Sequence, residues 1–411
     1  MKIMVTAIAY GQLAGVLNYV EVLIHGLKSL GHDVDFNVVP ILKTEKTRKN
    51  FSRADRTNRT VGVGTGLYSD FPNTWQGATL LRTHKKEDVE RLNDYDLVIH
   101  SMLAVPKKYK IGVMNLFEGH STPQIGVAHD PSTKHSISYL SHYQDLFRTL
   151  ICVHEGTYES CKGTGIPIAF IPNPHIINPD KFGMAIEDRP LYLFSGHHWR
   201  TKYKNLHKVV DTMIRASRSL GAMCAVSGDG IEMSYFCSED KQYDYMMYEF
   251  DTMYRVAKDE GIDFMKFISN PKQFEMMQNC KFFLDFDYRA RTAEYGCLFN
   301  RTLVEAMMAG CIPIVVRESL EGSSYFNEDE HYLAVSKDDM VQDAMRAITK
   351  AYYNPSEIIR MQCNNWSVVN QFDHRRIAER IIDAVKGQGV TRYPMDEQYF
   401  ENGARKIEAV S

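Results

Sequence analysis

The chain reads as an α/β protein built from two Rossmann-like, doubly wound parallel-sheet domains facing a cleft. Three observations predict this. Its 411 residues exceed one ordinary core and suit two domains of about 200 residues each. Short apolar runs alternate with helical stretches along nearly the whole chain, the pattern of parallel strands covered by helices. That alternation is interrupted at 173–188, where Pro, Asn and Asp accumulate as in an interdomain linker.

The first series opens with an apolar strand at Lys2–Ala9 and a glycine-containing turn at Tyr10–Gly15. Val16, Tyr19, Val20, Leu23, Leu27 and Leu30 then share one helical face, Gly31 stops that helix, and Val34–Val39 is the next strand. Further buried strands are expected at Leu97–His100, Ile111–Met114, Ile125–Ala128, Leu150–Val153 and Ile166–Ile171. The second series has strands at Leu191–Ser195, Ala222–Ser227, Phe264–Ile268, Phe282–Phe286 and Ile312–Val315. Helices are expected between them at Asn205–Leu220, Tyr243–Asp259, Pro271–Cys280 and Thr302–Ala309, and two more at Asp338–Ala351 and His374–Lys386 close the chain. The domains are therefore 1–178 and 179–387, with a tail from about 388 to 411 packing back on the first.

Composition narrows the function. The formal charge is −3, so the molecule as a whole is no basic nucleic-acid binder, and any such surface must be a local patch. None of the eight cysteines forms a CxxC pair, and Cys224, Cys280 and Cys311 lie in or beside apolar runs. Reduced buried thiols in a cytoplasmic protein are expected, not a disulfide or zinc framework. The N-terminal run ends in a turn and an amphipathic helix without a cleavage pattern, and no apolar stretch has the length of a membrane span.

Ligands of open α/β sheets bind outside the carboxyl ends of the strands, and the candidate residues follow strands. Gly11 and Gly15 lie in the turn after the first strand, where backbone can approach a phosphate at a helix N-terminus; a plain tight turn is the alternative. Arg200 and Lys204, with Asn205, follow the first strand of the second series, and fixed cations suit a diphosphate leaving group. Arg301, Thr302 and Glu305 open a small-residue helix ended by Gly310, and the Glu305 carboxylate can accept from two ribose hydroxyls. His129 and Asp130 end a strand of the first series, where a histidine can reach a transferred sugar; a satisfied core histidine is the alternative. Asp285-Phe286-Asp287 resembles a metal-binding aspartate pair, but in a two-domain chain loop capping or substrate contact is favoured and no metal is expected. The basic run at 43–59 includes Lys46, Arg48, Lys49, Arg53 and Arg56, which reads as a solvated loop or a contact to DNA phosphates.

Taken together, the glycine turn, the Arg200/Lys204 pair and Glu305-Ala306-Met307-Met308-Ala309-Gly310 resemble the retaining glycosyltransferases of the GT-B fold, family four type. The likeness covers nearly the whole chain. It implies a UDP-sugar donor bound mainly by the second domain, no obligatory metal or other cofactor, and a terminal helix crossing back to the first domain. Asn93–Ile99, Ala128–Ser132, Cys152–Gly156 and Gly310–Pro313 are similar to segments of phage DNA α-glucosyltransferases and arabinosyltransferases. That likeness implies double-stranded DNA containing 5-hydroxymethylcytosine as acceptor, glucose or arabinose as the sugar, a monomer, and a host-cytoplasmic location. A glycan or lipid-linked acceptor, or a non-catalytic binding module, are the alternatives. One position departs from the wider family: Cys297 stands where a second glutamate usually lies, and the nearest carboxylate is Glu294.

Overall fold

The computed structural model describes residues 1–8, 14–39, 79–80, 90–101, 121–129, 147–178, 182–197, 204–228, 254–265, 270–288, 297 and 299–387. The expected turn at 10–13, the strand Ile111–Met114, the basic run at 43–59, Asp130, Arg200, Glu294 and the tail from 388 lie outside these residues. Two compact units emerge. One comprises Met1–Ile177 with the described part of Gln371–Pro394, and the other Asn178–Asn370.

In the first unit, β1 (Lys2–Ile8) leads through α1 (Ala14–Ser29) to β2 (Asp33–Val39) and β3 (Thr79–Leu80). There follow β4 (Leu97–His100), β5 (Gln124–Ala128), β6 (Phe147–Cys152), α2 (Glu155–Cys161) and β7 (Ile168–Phe170). The strands form a seven-stranded sheet in the order β3-β2-β1-β4-β5-β6-β7, with every pairing parallel. Ile3, Met4 and Val5 are all buried, as are all four residues of β4, because a parallel sheet is covered on both faces. Gly31 ends the turn after α1 in the left-handed region, at φ +80°.

The second unit contains β8 (Tyr192–Gly196), α3 (Leu206–Leu220), β9 (Met223–Ser227), β10 (Asp263–Met265), α4 (Asn270–Asn279) and β11 (Phe282–Asp285). It continues with α5 (Arg301–Met308), β12 (Ile312–Val316), α6 (Arg317–Leu320), β13 (Leu333–Val335), α7 (Met340–Tyr353) and α8 (Pro355–Val369). Its six strands are ordered β10-β9-β8-β11-β12-β13, again all parallel. On α3, Leu206, Val209, Val210, Met213 and Ile214 recur at helical spacing and are buried.

Two expectations need correction and a third is refined. The final helix, α9 (His374–Val385), belongs to the first unit, not to a second domain reaching 387. Its Ile377, Ala378, Ile381, Ile382, Ala384 and Val385 join the core formed by α1 and the first sheet. Each buried isoleucine there contributes about 1.5–3 kcal/mol. The division between the units falls after Ile177, inside the expected linker at 173–188, and the described parts on either side are tied to their own units. His175 bridges to Asp373 within the first unit, and Ile186 is fully buried in the second, where its N–H donates to Gln362 Oε1 at 3.1 Å. Finally, α8 was not expected between the two closing helices. Its inward positions include the buried polar residues Gln362 and Asn365, which break the apolar period.

Candidate functional site

In a doubly wound sheet the binding crevice lies outside the carboxyl ends of the strands where their order reverses. In the second unit that point is between β8 and β11. His197 follows β8 directly; Asp285 ends β11, with Asp287 two residues on; and Lys204 and Asn205 lead into α3.

These residues form one polar assembly. Lys204 Nζ lies 2.5 Å from Asp287 Oδ2, with both side chains only slightly exposed. Asn205 adopts a left-handed backbone, φ +51°, and donates its amide to Phe286 O at 2.8 Å, which fixes the entry to α3 against the end of β11. Asp285 is fully enclosed. Its carboxylate accepts from Asn300 Nδ2 at 2.6 Å and from the Asp287 N–H at 3.3 Å, and it faces His197 Nε2 at 3.3 Å. Asn300 in turn caps α5, its Oδ1 accepting from the Leu303 N–H at 2.9 Å. One turn along α5, Arg301 Nε donates to Glu305 Oε1 at 2.8 Å. The chain of contacts thus runs from α3 through β11 to α5.

The electrostatics follow from this enclosure. Burial alone would push the Asp285 carboxyl up, but the His197 ring, the Lys204 ammonium and the Asn300 amide outweigh it. Asp285 is held well below the ordinary carboxylate range. Glu305 goes the other way: burial raises it, with the Arg301 guanidinium opposing. The assembly offers a cation, Lys204, and an acceptor, Glu305, on one hydrogen-bonded frame that links α3, β11 and α5. A cation suits a phosphate and a buried carboxylate suits paired hydroxyls.

The far end of α5 is anchored as well. The Arg189 guanidinium, itself buried, donates to Ala309 O at 2.8 Å, Cys280 O at 2.8 Å and Met184 O at 2.7 Å. Gly310 takes φ +81° beside Arg189, Gln362 and Trp366, where a Cβ would have no room.

The first unit has its reversal between β1 and β4. There His100 Nε2 donates to Gln124 Oε1 at 2.9 Å, and its Nδ1 accepts from the Thr6 hydroxyl at 3.3 Å. Burial pushes the His100 ring down to about 4. His129, after β5, donates Nε2–H to Ser101 O at 2.7 Å and packs edge-on against Tyr19, with ring centroids 4.7 Å apart.

Of the residues singled out in the sequence, the structure brings Lys204, Asn205, Arg301 and Glu305 into the second unit's assembly. Thr302 is half-buried in the first turn of α5. Lys204 precedes α3, as the expected helix start at Asn205 has it, whereas Glu305 lies in the second turn of α5, not the first. Gly15 falls within α1, while Gly11, Arg200, Asp130 and the residues Lys46, Arg48, Lys49, Arg53 and Arg56 are outside the described part. Sequence reasoning missed His197, Asn300 and Arg189. A polar residue directly after an apolar strand was the available signal for His197, and an asparagine just before an apolar-periodic helix for Asn300. Among the described residues no group of three His, Cys, Asp or Glu side chains has metal-holding geometry, and no helix is long and apolar enough to cross a membrane.

No protein-family profile matches the chain, and no curated protein matches it in sequence. Solved structures do match in fold. HepE of Anabaena, in complex with UDP and glucose, superposes with a TM-score of 0.65 at 11% identity, covering 94% of this chain and 99% of that one. An alpha-glucosyltransferase in complex with UDP-glucose and DNA containing an abasic site gives 0.63 at 12% identity, covering 94% and 99%. A glycosyltransferase from Rickettsia africae gives 0.59 at 11%, covering 94% and 97%. The chain therefore has the two-domain GT-B fold of these glycosyltransferases.

Proposed function

We propose that the chain is a retaining glycosyltransferase that moves glucose or arabinose from a UDP-sugar to 5-hydroxymethylcytosine in double-stranded DNA. The observation that carries this reading is the assembly at the β8/β11 reversal, with Lys204 and Glu305 on one hydrogen-bonded frame. The fold adds support, since similar structures include a HepE complex with UDP-glucose and an alpha-glucosyltransferase complex with UDP-glucose and DNA.

In this reading Lys204, with Arg200, stabilises charge that builds on the diphosphate as the bond from sugar to phosphate oxygen breaks. Glu305 accepts from the ribose hydroxyls. His129 contacts the sugar and Asp130 orients the acceptor hydroxyl. That hydroxyl attacks the anomeric carbon from the face the diphosphate leaves, and its proton passes to the departing phosphate, so no strong protein base is required. Lysine and arginine supply the charge a metal would otherwise bring, so activity is expected to survive a chelator. A base inside a duplex cannot reach such a crevice, and the target nucleotide must flip out. The basic run at 43–59 follows the phosphates, so Lys49→Glu with Arg53→Glu weakens DNA binding and flattens its salt dependence.

The test is to incubate the protein with hydroxymethylcytosine DNA and either UDP-glucose or UDP-arabinose, then weigh the digested nucleosides. A hexose or pentose on hydroxymethylcytidine is the expected product. UDP-sugar bound or slowly hydrolysed with unmodified DNA would move the acceptor to a glycan or lipid-linked sugar. Failure to bind any UDP compound would leave only a binding module.

A further inference from the structure

The cation assigned to the donor diphosphate is already engaged. Lys204 Nζ sits 2.5 Å from Asp287 Oδ2, and both side chains are nearly enclosed. The Asp287 backbone is held on both sides. Its N–H donates to Asp285 Oδ1 at 3.3 Å, and its carbonyl accepts from Ser319 Oγ at 2.5 Å. The root of the side chain is therefore fixed beside Lys204. A phosphate approaching Lys204 meets a neighbouring carboxylate that competes for the same ammonium and repels the incoming charge.

We infer that Asp287 is an affinity-limiting residue of the donor site, a carboxylate that holds Lys204 while the site is empty and yields it to the nucleoside diphosphate. This rests on the donor reading given under Proposed function. Its effect is a weaker hold on UDP than Lys204 alone would give. When UDP departs, Asp287 takes the ammonium back, so the nearly enclosed Lys204 regains its close counter-charge. Asp287 thereby favours turnover over retention of the product. The pair is stabilising without ligand and antagonistic to binding, a combination that a contact to the sugar would not produce.

The experiment measures UDP and UDP-glucose binding by calorimetry, with thermal unfolding alongside. Asp287→Asn keeps an acceptor for Lys204 and removes the competing charge. It should bind both UDP and UDP-glucose at least about tenfold more tightly than the natural protein. Its ligand-free melting temperature should fall, and UDP should raise that temperature by more than in the natural protein. Asp287→Glu, which restores the charge, should return affinity towards the natural value. If Asp287→Asn does not fold, Lys204→Met is compared with Lys204→Met/Asp287→Asn. The double variant should bind UDP more tightly, because the single variant keeps the Asp287 negative charge beside the phosphates while losing the Lys204 cation. Unchanged or weaker UDP binding on removing the Asp287 charge, in whichever background folds, overturns the inference. So does weakened UDP-glucose binding with unchanged UDP binding, which would make Asp287 a sugar contact. If the natural protein binds no UDP at all, the donor reading itself falls, which is distinguishable from both.

Discussion

Where strand order reverses, the first unit buries Thr6, His100 and Gln124 in a neutral hydrogen-bonded set. At the equivalent place the second unit gathers His197, Asp285, Asp287 and Lys204, with Arg301 and Glu305 one step away. The same topology thus carries a neutral network in one unit and an ionic one in the other. The difference teaches what each is for. A neutral network, once satisfied, fixes strands in place with little field. An ionic one costs much to desolvate and persists where it has charge to meet. This contrast is what leads us to propose the second unit as the donor side.

The comparison can be broken in several ways, beginning with the largest effect. Asp285→Ala removes the partner of His197 and Asn300 and leaves charge enclosed, so chemical denaturation should show a loss of about 3–5 kcal/mol. Gln124→Ala in the neutral network should cost less, about 1–3 kcal/mol for the histidine donor it strands. Equal costs would erase the distinction between the units. Lys204→Met should reduce sugar transfer by about 10²–10³-fold in steady-state rates, the range for losing one fixed stabilising group.

Acid titration sharpens the contrast. His100 has its folded value depressed to about 4 against about 6.5 unfolded. Its contribution is complete above pH 6.5 and is lost as pH falls towards 4. Asp285 is also depressed, so its contribution is complete above about pH 4 and is lost only below that. His100→Gln should remove part of the stability slope between pH 6.5 and 4, and Asp285→Asn part of the slope below it. The smallest effect is at Asn205. Asn205→Ala places a Cβ-bearing residue without the Phe286 contact in a left-handed conformation, and should lower stability by about 1–2 kcal/mol.

Much of the fold was legible because parallel strands are enclosed on both faces. Leu97–His100 and Phe282–Asp285 are uninterrupted buried runs and read as strands without further help. The ownership of α9 was legible only through the family resemblance, which implies a terminal helix crossing back to the first domain. An apolar face predicts a helix, but not which sheet receives it. Nor was α8, where Gln362 uses its buried amide to bind Ile186, Met184 and Gly310 and so interrupts the period. Within the site, Glu305 and Lys204 could be chosen from their places relative to strands. The Lys204–Asp287 pair could not, since its members are 83 residues apart and nothing local links them. His197 gave only a weak signal, because one histidine after a strand is as often structural as functional.

The central claim, that the second unit's ionic assembly holds the nucleotide of the donor, is tested most directly by titrating UDP and 2′-deoxy-UDP into the natural protein and into Glu305→Gln. If the Glu305 carboxylate accepts from the ribose hydroxyls, the natural protein prefers UDP by about tenfold or more and the variant loses that preference. Equal binding of the two nucleotides by the natural protein, or a preference that survives in Glu305→Gln, would contradict the account.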